Sequence, residues 1–597
     1  MSRPVALLFL LTLPLRSVAV ELEAIEVTAE KDVDLFTTGK STVVPTHQLE
    51  ARPTALLSGT FDGVQGLVAT QNGGPGGRVS FFLRGTESRH VSFTLDGLKL
   101  NDPSNTDRQF DAAFMTSAFI RNVRIHKGPQ AVLFGSDAFG GMVELVSRKG
   151  ETPGESRLSI NGGSYGTVDA SLSHDWKKDG NLGTVTVSRF HSDGISRLNK
   201  KRFRSREKDS ADITQVTSSS SHRWRTKFQT DVLASYLRGE NEYDSADKDN
   251  SEDRSRNDQY VLQQKTHYEL SAASTLSLRN GMSRHQRFIQ ALVDSSEGSF
   301  GGNLFQHEAL YRGSFGKHEL LAGIATDHET YQARDLDKSF DLHSGFVQSA
   351  VFVEELKFQL GGRVDEHSRY GRFATGSTGV SHRSSLGTFS LQYSQGYKAP
   401  SLFQLYARPI FGFPIGNAGL VPEKNNSWEL SWERTAGGFR SELTLFQNRL
   451  SNLITFSNLG YVNQGRFTSE GAELSGSYRS RRAELSASVT HLAFKDAQTV
   501  ILRRPRNSGQ VGLAWFHSET LESYGKLRFF DARRDLDLAG EPVKLNGYKT
   551  VEVGVRKTFE KDDVGIQVLN LFDKNYEELY GYSVLPRSVF VHYGRRF

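Results

Sequence analysis

From residue 151 to the C-terminus, apolar and polar side chains alternate in short segments. Ala483, Leu485, Ala487 and Val489 alternate with Glu484, Ser486, Ser488 and Thr490, and Val551, Val553 and Val555 alternate with Glu552, Gly554 and Arg556. The same period recurs in Val232, Ala234 and Tyr236, in Leu356, Phe358 and Leu360, and in Val564, Ile566 and Val568. Period two marks a β-strand with two unlike faces. A spanning strand takes ~10 residues and its connection about as many again, so residues 151–597 predict roughly 22 strands. A sheet that wide would leave unpaired edges, and in lipid each unsatisfied backbone group costs several kcal/mol. The pattern therefore predicts an all-β membrane protein, a 22-stranded antiparallel transmembrane β-barrel. Its lumen is wide enough to need a stopper.

The leading segment reads differently. Between Phe81 and Lys149, short runs are punctuated by Gly85, Gly97, Gly128, Gly135, Gly140 and Gly141, which can reverse the chain at positive φ where other residues resist. This predicts a compact α+β domain over residues 36–150, small enough to sit inside the barrel. Ahead of it, Arg3 precedes an apolar run from Val5 to Leu15, and Ser17-Val18-Ala19 offers small residues for cleavage. Residues 1–19 are thus expected to be a signal peptide, and residues 20–35 an N-terminal arm.

Composition changes this picture little. No window of ~20 apolar residues follows the N-terminus, which argues against membrane helices. The mean hydropathy of −0.46 is compatible with a barrel, because lipid-facing and lumen-facing residues average out. The absence of cysteine excludes disulfides and thiolate metal sites. A net charge of +5 over 597 residues does not suggest nucleic acid as a partner. The basic run Lys200-Lys201-Arg202-Phe203-Arg204-Ser205-Arg206 reads as a solvated loop that can meet acidic lipopolysaccharide. Long charged loops are expected at His191–His222 and Glu240–Asp258, facing the environment.

Enzyme motifs are incomplete. Gly39-Lys40-Ser41 has Asp34 where a phosphate-binding loop needs glycine, and the pairs His307-Glu308, His318-Glu319 and His328-Glu329 lack the second histidine of helical zinc peptidases. No nucleophile elbow surrounds Ser136. No catalytic residue is expected.

Arg84-Gly85, Leu95-Asp96-Gly97 and the run His126-Lys127-Gly128-Pro129-Gln130 through Gly140-Gly141 resemble, in order and spacing, the plug domain of TonB-dependent outer-membrane receptors. Val589, Val591, Tyr593 and the terminal Phe597 share one face, which resembles the assembly signal of outer-membrane barrels. Glu23, Ala24, Ile25, Glu26, Val27, Thr28 and Ala29 resemble the TonB box, a segment that pairs by strand addition with the periplasmic coupling protein. Glu26 stands where that family has an apolar residue. Among these receptors the chain most resembles those for vitamin B12 (cobalamin), through Thr70–Gly74, Leu83–Thr86, Asp96–Asn101, Tyr397–Tyr406, Gly416–Lys424 and Leu569–Tyr582.

The resemblance implies energy-dependent import of a scarce, large nutrient across the outer membrane of a Gram-negative bacterium. The partners it implies are TonB with ExbB and ExbD, and the chain is expected to be a monomer. Cobalamin is the first ligand expected. A ferric siderophore is the main alternative and haem a weaker one, since residues 397–424 contain no histidine to ligate iron. A passive porin or an adhesin would be the alternatives of another class.

The substrate is expected to contact the plug apices through Gln71, Asn72, Gly73, Gly74, Arg78, Asn101, Asp102, Ser104 and Asn105, and the barrel loops through Tyr406, Arg408, Phe411 and Phe413. Arg84 and Asp96 are candidates for plug-core ion pairs or plug-to-barrel contacts. No cofactor is required, but Asp244, Asp247, Asp249, Glu252 and Asp253 gather hard oxygen donors in one loop and form a candidate structural calcium site.

Overall fold

The computed structural model describes residue 36 and residues 39–50, 56–150, 152–203, 207–244, 253–291, 296–333, 336–409, 413–457, 460–498 and 500–597. The candidate signal peptide, the TonB box, Phe411, Asp247, Asp249 and Glu252 lie outside the described residues.

Twenty-two antiparallel strands close into a barrel. The last, Ser588–Arg596, pairs with the first, Ser156–Gly163, in the register Phe590 to Gly163 through Arg596 to Arg157, so no edge is left. The alternation is inside out relative to a soluble sheet. Leu360, Leu391, Leu430 and Val591 are exposed, while Gln215, Ser283, Gln348 and Thr444 on the opposite phase are buried. Apolar side chains thus point to lipid and polar ones into a filled lumen, as a membrane barrel demands.

One end of the barrel carries turns of two or three residues. In the turn after the strand Thr167–Lys178, Asp179 and Gly180 have φ of 50° and 80°, the left-handed pair that matches the strand twist of a tight hairpin. The other end carries the long connections. Both long charged loops are shorter than the sequence suggested. The strands Asn181–Ser192, Ala211–Arg225, Phe228–Glu242 and Arg254–Ser271 run into them, leaving connections of 193–210 and 243–253. His222, placed in an outer loop by its polarity, lies near the short-turn end of its strand. Polar residues are compatible with a strand wherever the ladder is satisfied, so polarity alone misplaced the boundary.

The lumen holds the N-terminal domain. Its main sheet has five strands in the order β1 (Ser41–Val44), β6 (Ile120–Lys127), β7 (Gly141–Ser147), β4 (Val91–Leu95), β5 (Leu98–Lys99). β4 and β7 run parallel and the other neighbours antiparallel. β2 (Leu67–Gln71) and β3 (Val79–Leu83) form a separate hairpin. Phe61, Phe81 and Phe93 pack edge-on or tilted with centroids 4.7–5.9 Å apart. They belong to an apolar core that extends onto Phe190, Ile213, Leu233 and Val261 of the wall. The plug is therefore seated on one arc of the barrel by hydrophobic contact, worth about 1.5–3 kcal/mol per large buried side chain.

Of the turn glycines, Gly85, Gly97, Gly128 and Gly135 do have φ between 76° and 87°. Gly140 does not share their reason. A Cβ there would lie 2.4 Å from the Thr86 hydroxyl oxygen, so close approach, not positive φ, requires glycine.

Candidate functional site

Three groups of residues tie the plug to the wall or shape the space above it. In the first, Arg84 occupies the turn after β3 with φ of 49° and is 1% exposed. Its Nε and Nη2 donate to the two carboxylate oxygens of Glu473 at 3.0 and 3.1 Å, and Nη1 donates to Glu429 at 2.5 Å. Lys127 Nζ adds a bond to Glu473 at 3.0 Å, so two cations face two carboxylates. Burial alone would push the Arg84 guanidinium down, but Glu473 and Glu429 outweigh it and hold the charge. Arg84 is thus a plug-to-barrel contact. Asp96 makes both kinds of contact: its carboxylate accepts from the Ser147 N–H at 2.9 Å and hydroxyl at 2.6 Å within the plug, and its carbonyl accepts from Gln263 Nε2 of the wall at 3.3 Å.

The second group surrounds the turn Ser88–His90. His90 Nδ1 accepts from the Glu87 N–H at 3.1 Å, which leaves Nε2 to donate to Glu423 at 3.1 Å. Burial holds this imidazole below its ordinary range, so it is neutral at pH 7. Arg89 bridges Glu87 at 2.6 Å and Glu423 at 2.9 Å.

Burial would raise the Glu87 carboxyl, but Arg89 and Arg504 outweigh burial and bring it down to about 2. A carboxylate held below its free value of 4.5 stabilises the folded state above that pH, and the contribution fades as pH falls towards 2. Acidification from about pH 5 to about pH 3 is expected to loosen the plug for this reason. The urea midpoint of plug unfolding should fall in the wild type and fall less in Glu87→Gln; equal losses would contradict the assignment.

The third group faces outward. The plug apices are the loops 72–78 and 100–111. The two loops meet where Arg78 Nη2 donates to Asn105 at 3.3 Å and stands 3.6 Å from Asp107. Of the expected substrate contacts on the plug, Arg78 is the exposed one, with its side chain 42% accessible. Gln71, Asn72 and Asp102 are partly exposed, while Gly73, Gly74, Asn101, Ser104 and Asn105 are buried. Asn101 holds its own loop, accepting from Ser92 at 3.0 Å and donating to the Arg108 carbonyl at 2.9 Å. The Ser104 carbonyl accepts from Arg287 of the wall at 2.9 Å.

On the barrel side, Tyr406 ends the short helix α1 (Leu402–Tyr406), which Ser401 caps through the Gln404 N–H. The Tyr406 phenol accepts from Arg369 Nη1 at 2.6 Å. Arg369 and Lys338 stand over its ring at 5.4 and 5.2 Å, and Arg369 also stands 5.6 Å from the Tyr370 ring. Phe403 and Phe456 pack edge-on to Tyr461 at 6.2 and 5.1 Å. Arg408 is exposed and Phe413 is 68% exposed.

The sequence pointed to Tyr406, Arg408 and Phe413 but not to Lys338, Arg369, Tyr370 and Tyr461. Lys338 and Tyr461 lie at the starts of the strands Leu336–Val353 and Gly460–Arg479, Arg369 and Tyr370 in the connection between Leu356–His367 and Gly371–Ser384, and no motif links them.

Of the candidate calcium donors, the described ones part company. Asp244 gathers with Glu207 and Asp209, their oxygens within 4.8 Å of one another, and Asp253 does not join this cluster. The buried Arg197 guanidinium lies within electrostatic range of Asp209 and Asp244. The Leu198 and Arg197 N–H groups also donate to Asp244 and Asp209 at 3.1 and 2.7 Å. Arg202, from the basic run, is held by Glu577 through two bonds of 2.7 Å.

Comparison with known proteins agrees with the architecture. Residues 34–142 match the family described as TonB-dependent receptor plug domain, and residues 148–571 match the family described as TonB dependent receptor-like, beta-barrel. The chain belongs to the TonB-dependent receptors, a family of outer-membrane β-barrel receptors. Similar solved structures include the siderophore receptor PirA from Acinetobacter baumannii, 16% identical, covering 96% of this chain and 100% of that one with a TM-score of 0.81. A variant of the ferric enterobactin receptor PfeA from Pseudomonas aeruginosa, in complex with enterobactin, is 16% identical and covers 94% and 100% with a TM-score of 0.77. The ferric-catecholate import receptor Fiu from E. coli K12 is 14% identical and covers 94% and 97% with a TM-score of 0.78.

Proposed function

We propose that this receptor imports a ferric chelate of the siderophore class by TonB-coupled transport. The observation that carries the reading is the outward wall formed by Lys338, Arg369, Tyr370 and Tyr406, with Arg78 rising from the plug. Cations over aromatic rings form a surface for a ligand that is both anionic and aromatic, as an iron complex of catecholates is. Each cation–π contact contributes about 0.5–1 kcal/mol at an exposed site, and the clustered positive charge draws anions from beyond contact range.

Cobalamin, the first expectation from sequence, is less well served, because cyanocobalamin has no net charge for this wall to meet. That the similar structures named above are siderophore and ferric-chelate receptors also supports the iron reading. In this account binding above the plug biases it towards a state in which residues 23–29 are offered to TonB, by no more than the ligand's preference for that state. The carboxylate cluster at Glu207, Asp209 and Asp244 would hold a cation such as calcium only in competition with Arg197, so we assign calcium no part in import.

Arg369→Ala removes the phenol's partner and the charge over two rings. It is expected to weaken binding of ferric enterobactin by about tenfold, equivalent to ~1.4 kcal/mol. Equilibrium binding to the purified variant checks this. Unchanged affinity would contradict the proposed wall.

A further inference from the structure

The plug is attached to the barrel unevenly. On one arc, Arg84 and Lys127 are buried against Glu429 and Glu473, and across a neighbouring stretch Arg108 meets Glu329 at 2.7 Å and Lys99 meets Asp327 at 2.7 Å. Across the ring lie the strands Tyr548–Thr558, Asp562–Leu569 and Ser588–Arg596, and here two cavities separate plug from wall.

The outer cavity, about 200 Å³, runs from Gly73–Pro75 of the plug apex and Glu578 and Val584 of the last outer connection down to Ser58 and Asp62. The inner cavity, about 250 Å³, is lined by Gln48 and Glu50 of the plug and by Arg556 and His592 near the short-turn end.

The two cavities share two wall residues, Glu552 and Phe590. Phe590 is 4% exposed and paired in register with Gly163, where a Cβ would lie 2.4 Å from its ring, so the glycine makes room for the ring. In the outer cavity, Arg528 reaches across to Asp62 at 2.5 Å, with side chains 16% and 41% exposed. The ring lies where the two spaces adjoin, and the ion pair crosses the outer one from wall to plug.

We infer that cargo descends on this side of the plug, and that Phe590 with the Asp62–Arg528 pair is the gate. The inference rests on the transport reading above. Two observations carry it. A partly exposed ion pair is weak, whereas each buried pair on the other arc is costly to break. The plug segment that bears Asp62 leads into the β2–β3 hairpin, which is held to the five-stranded sheet by side-chain packing through Val79, Phe81 and Leu83 and not by ladder hydrogen bonds.

The test needs neither ligand nor TonB: ion conductance of the purified full-length protein in planar bilayers. Wild type should be nearly closed. The double variant D62A/F590A should leak at least about tenfold more, and adding Thr550→Trp, which fills the outer cavity from the wall, should suppress the leak. Phe467→Ala, the same deletion on the bolted arc, should stay closed. A leak insensitive to Thr550→Trp, an equal leak from Phe467→Ala, or no leak from D62A/F590A would overturn the gate. None of these results would bear on which ligand binds.

Discussion

Deleting residues 23–29 is expected to leave ligand affinity within about twofold of wild type while abolishing energised uptake. The proposed account gives binding to the apices and the outer wall, and none of their residues is removed by the deletion. Coupling requires an extended segment whose backbone can add as a strand to the periplasmic partner, and side-chain identity matters less to such pairing than the presence of the segment. Substituting single side chains within 23–29 should therefore do less harm than introducing proline, which removes a ladder donor. Uptake of labelled ferric enterobactin in cells, set beside binding to the same cells, separates the two effects. Retained uptake after the deletion would place the coupling segment elsewhere.

Arg84→Ala should destabilise the seated plug by about 3–5 kcal/mol, because it leaves Glu429 and Glu473 buried with one cation, Lys127, between them. Arg84→Lys is not expected to rescue it fully. The guanidinium spans both oxygens of Glu473 and still reaches Glu429, and a single ammonium cannot repeat that fork. Urea unfolding of the plug at neutral pH, with the barrel still folded, reads the effect. A loss below about 1 kcal/mol would mean that the network is solvated and contributes little.

The barrel was legible because its pattern is local. Val564, Ile566 and Val568 alternate on one strand, and a sum of such strands fixes closure without knowledge of any distant contact. The turns were legible where chemistry and geometry coincide, as at Gly128, and misread at Gly140, where the reason lies in Thr86 across the fold. Loop boundaries failed for a related reason: Asp212 and Glu240 look like loop residues, yet they pair with each other in register on neighbouring strands.

The site was only half legible. Arg84 drew attention through its Arg-Gly turn, but its partners Glu429 and Glu473 lie hundreds of residues away on lumen-facing phases that many other polar residues share. Tyr406 sits in a recognisable segment, whereas Arg369, from the connection after the strand Leu356–His367, and Lys338, on the strand Leu336–Val353, join it only because these elements converge on its ring. The proposed ligand rests on that convergence, which the motifs do not encode: their resemblance pointed towards cobalamin, whereas the proposal drawn from the assembled wall is an anionic iron chelate.

Equilibrium binding of the purified full-length receptor to ferric enterobactin and to cyanocobalamin, side by side at physiological salt, tests the proposed function most directly. The account predicts nanomolar affinity for the iron chelate and micromolar or weaker affinity for cyanocobalamin, a difference of at least ~4 kcal/mol. Tight cobalamin binding with no measurable affinity for the chelate would contradict it.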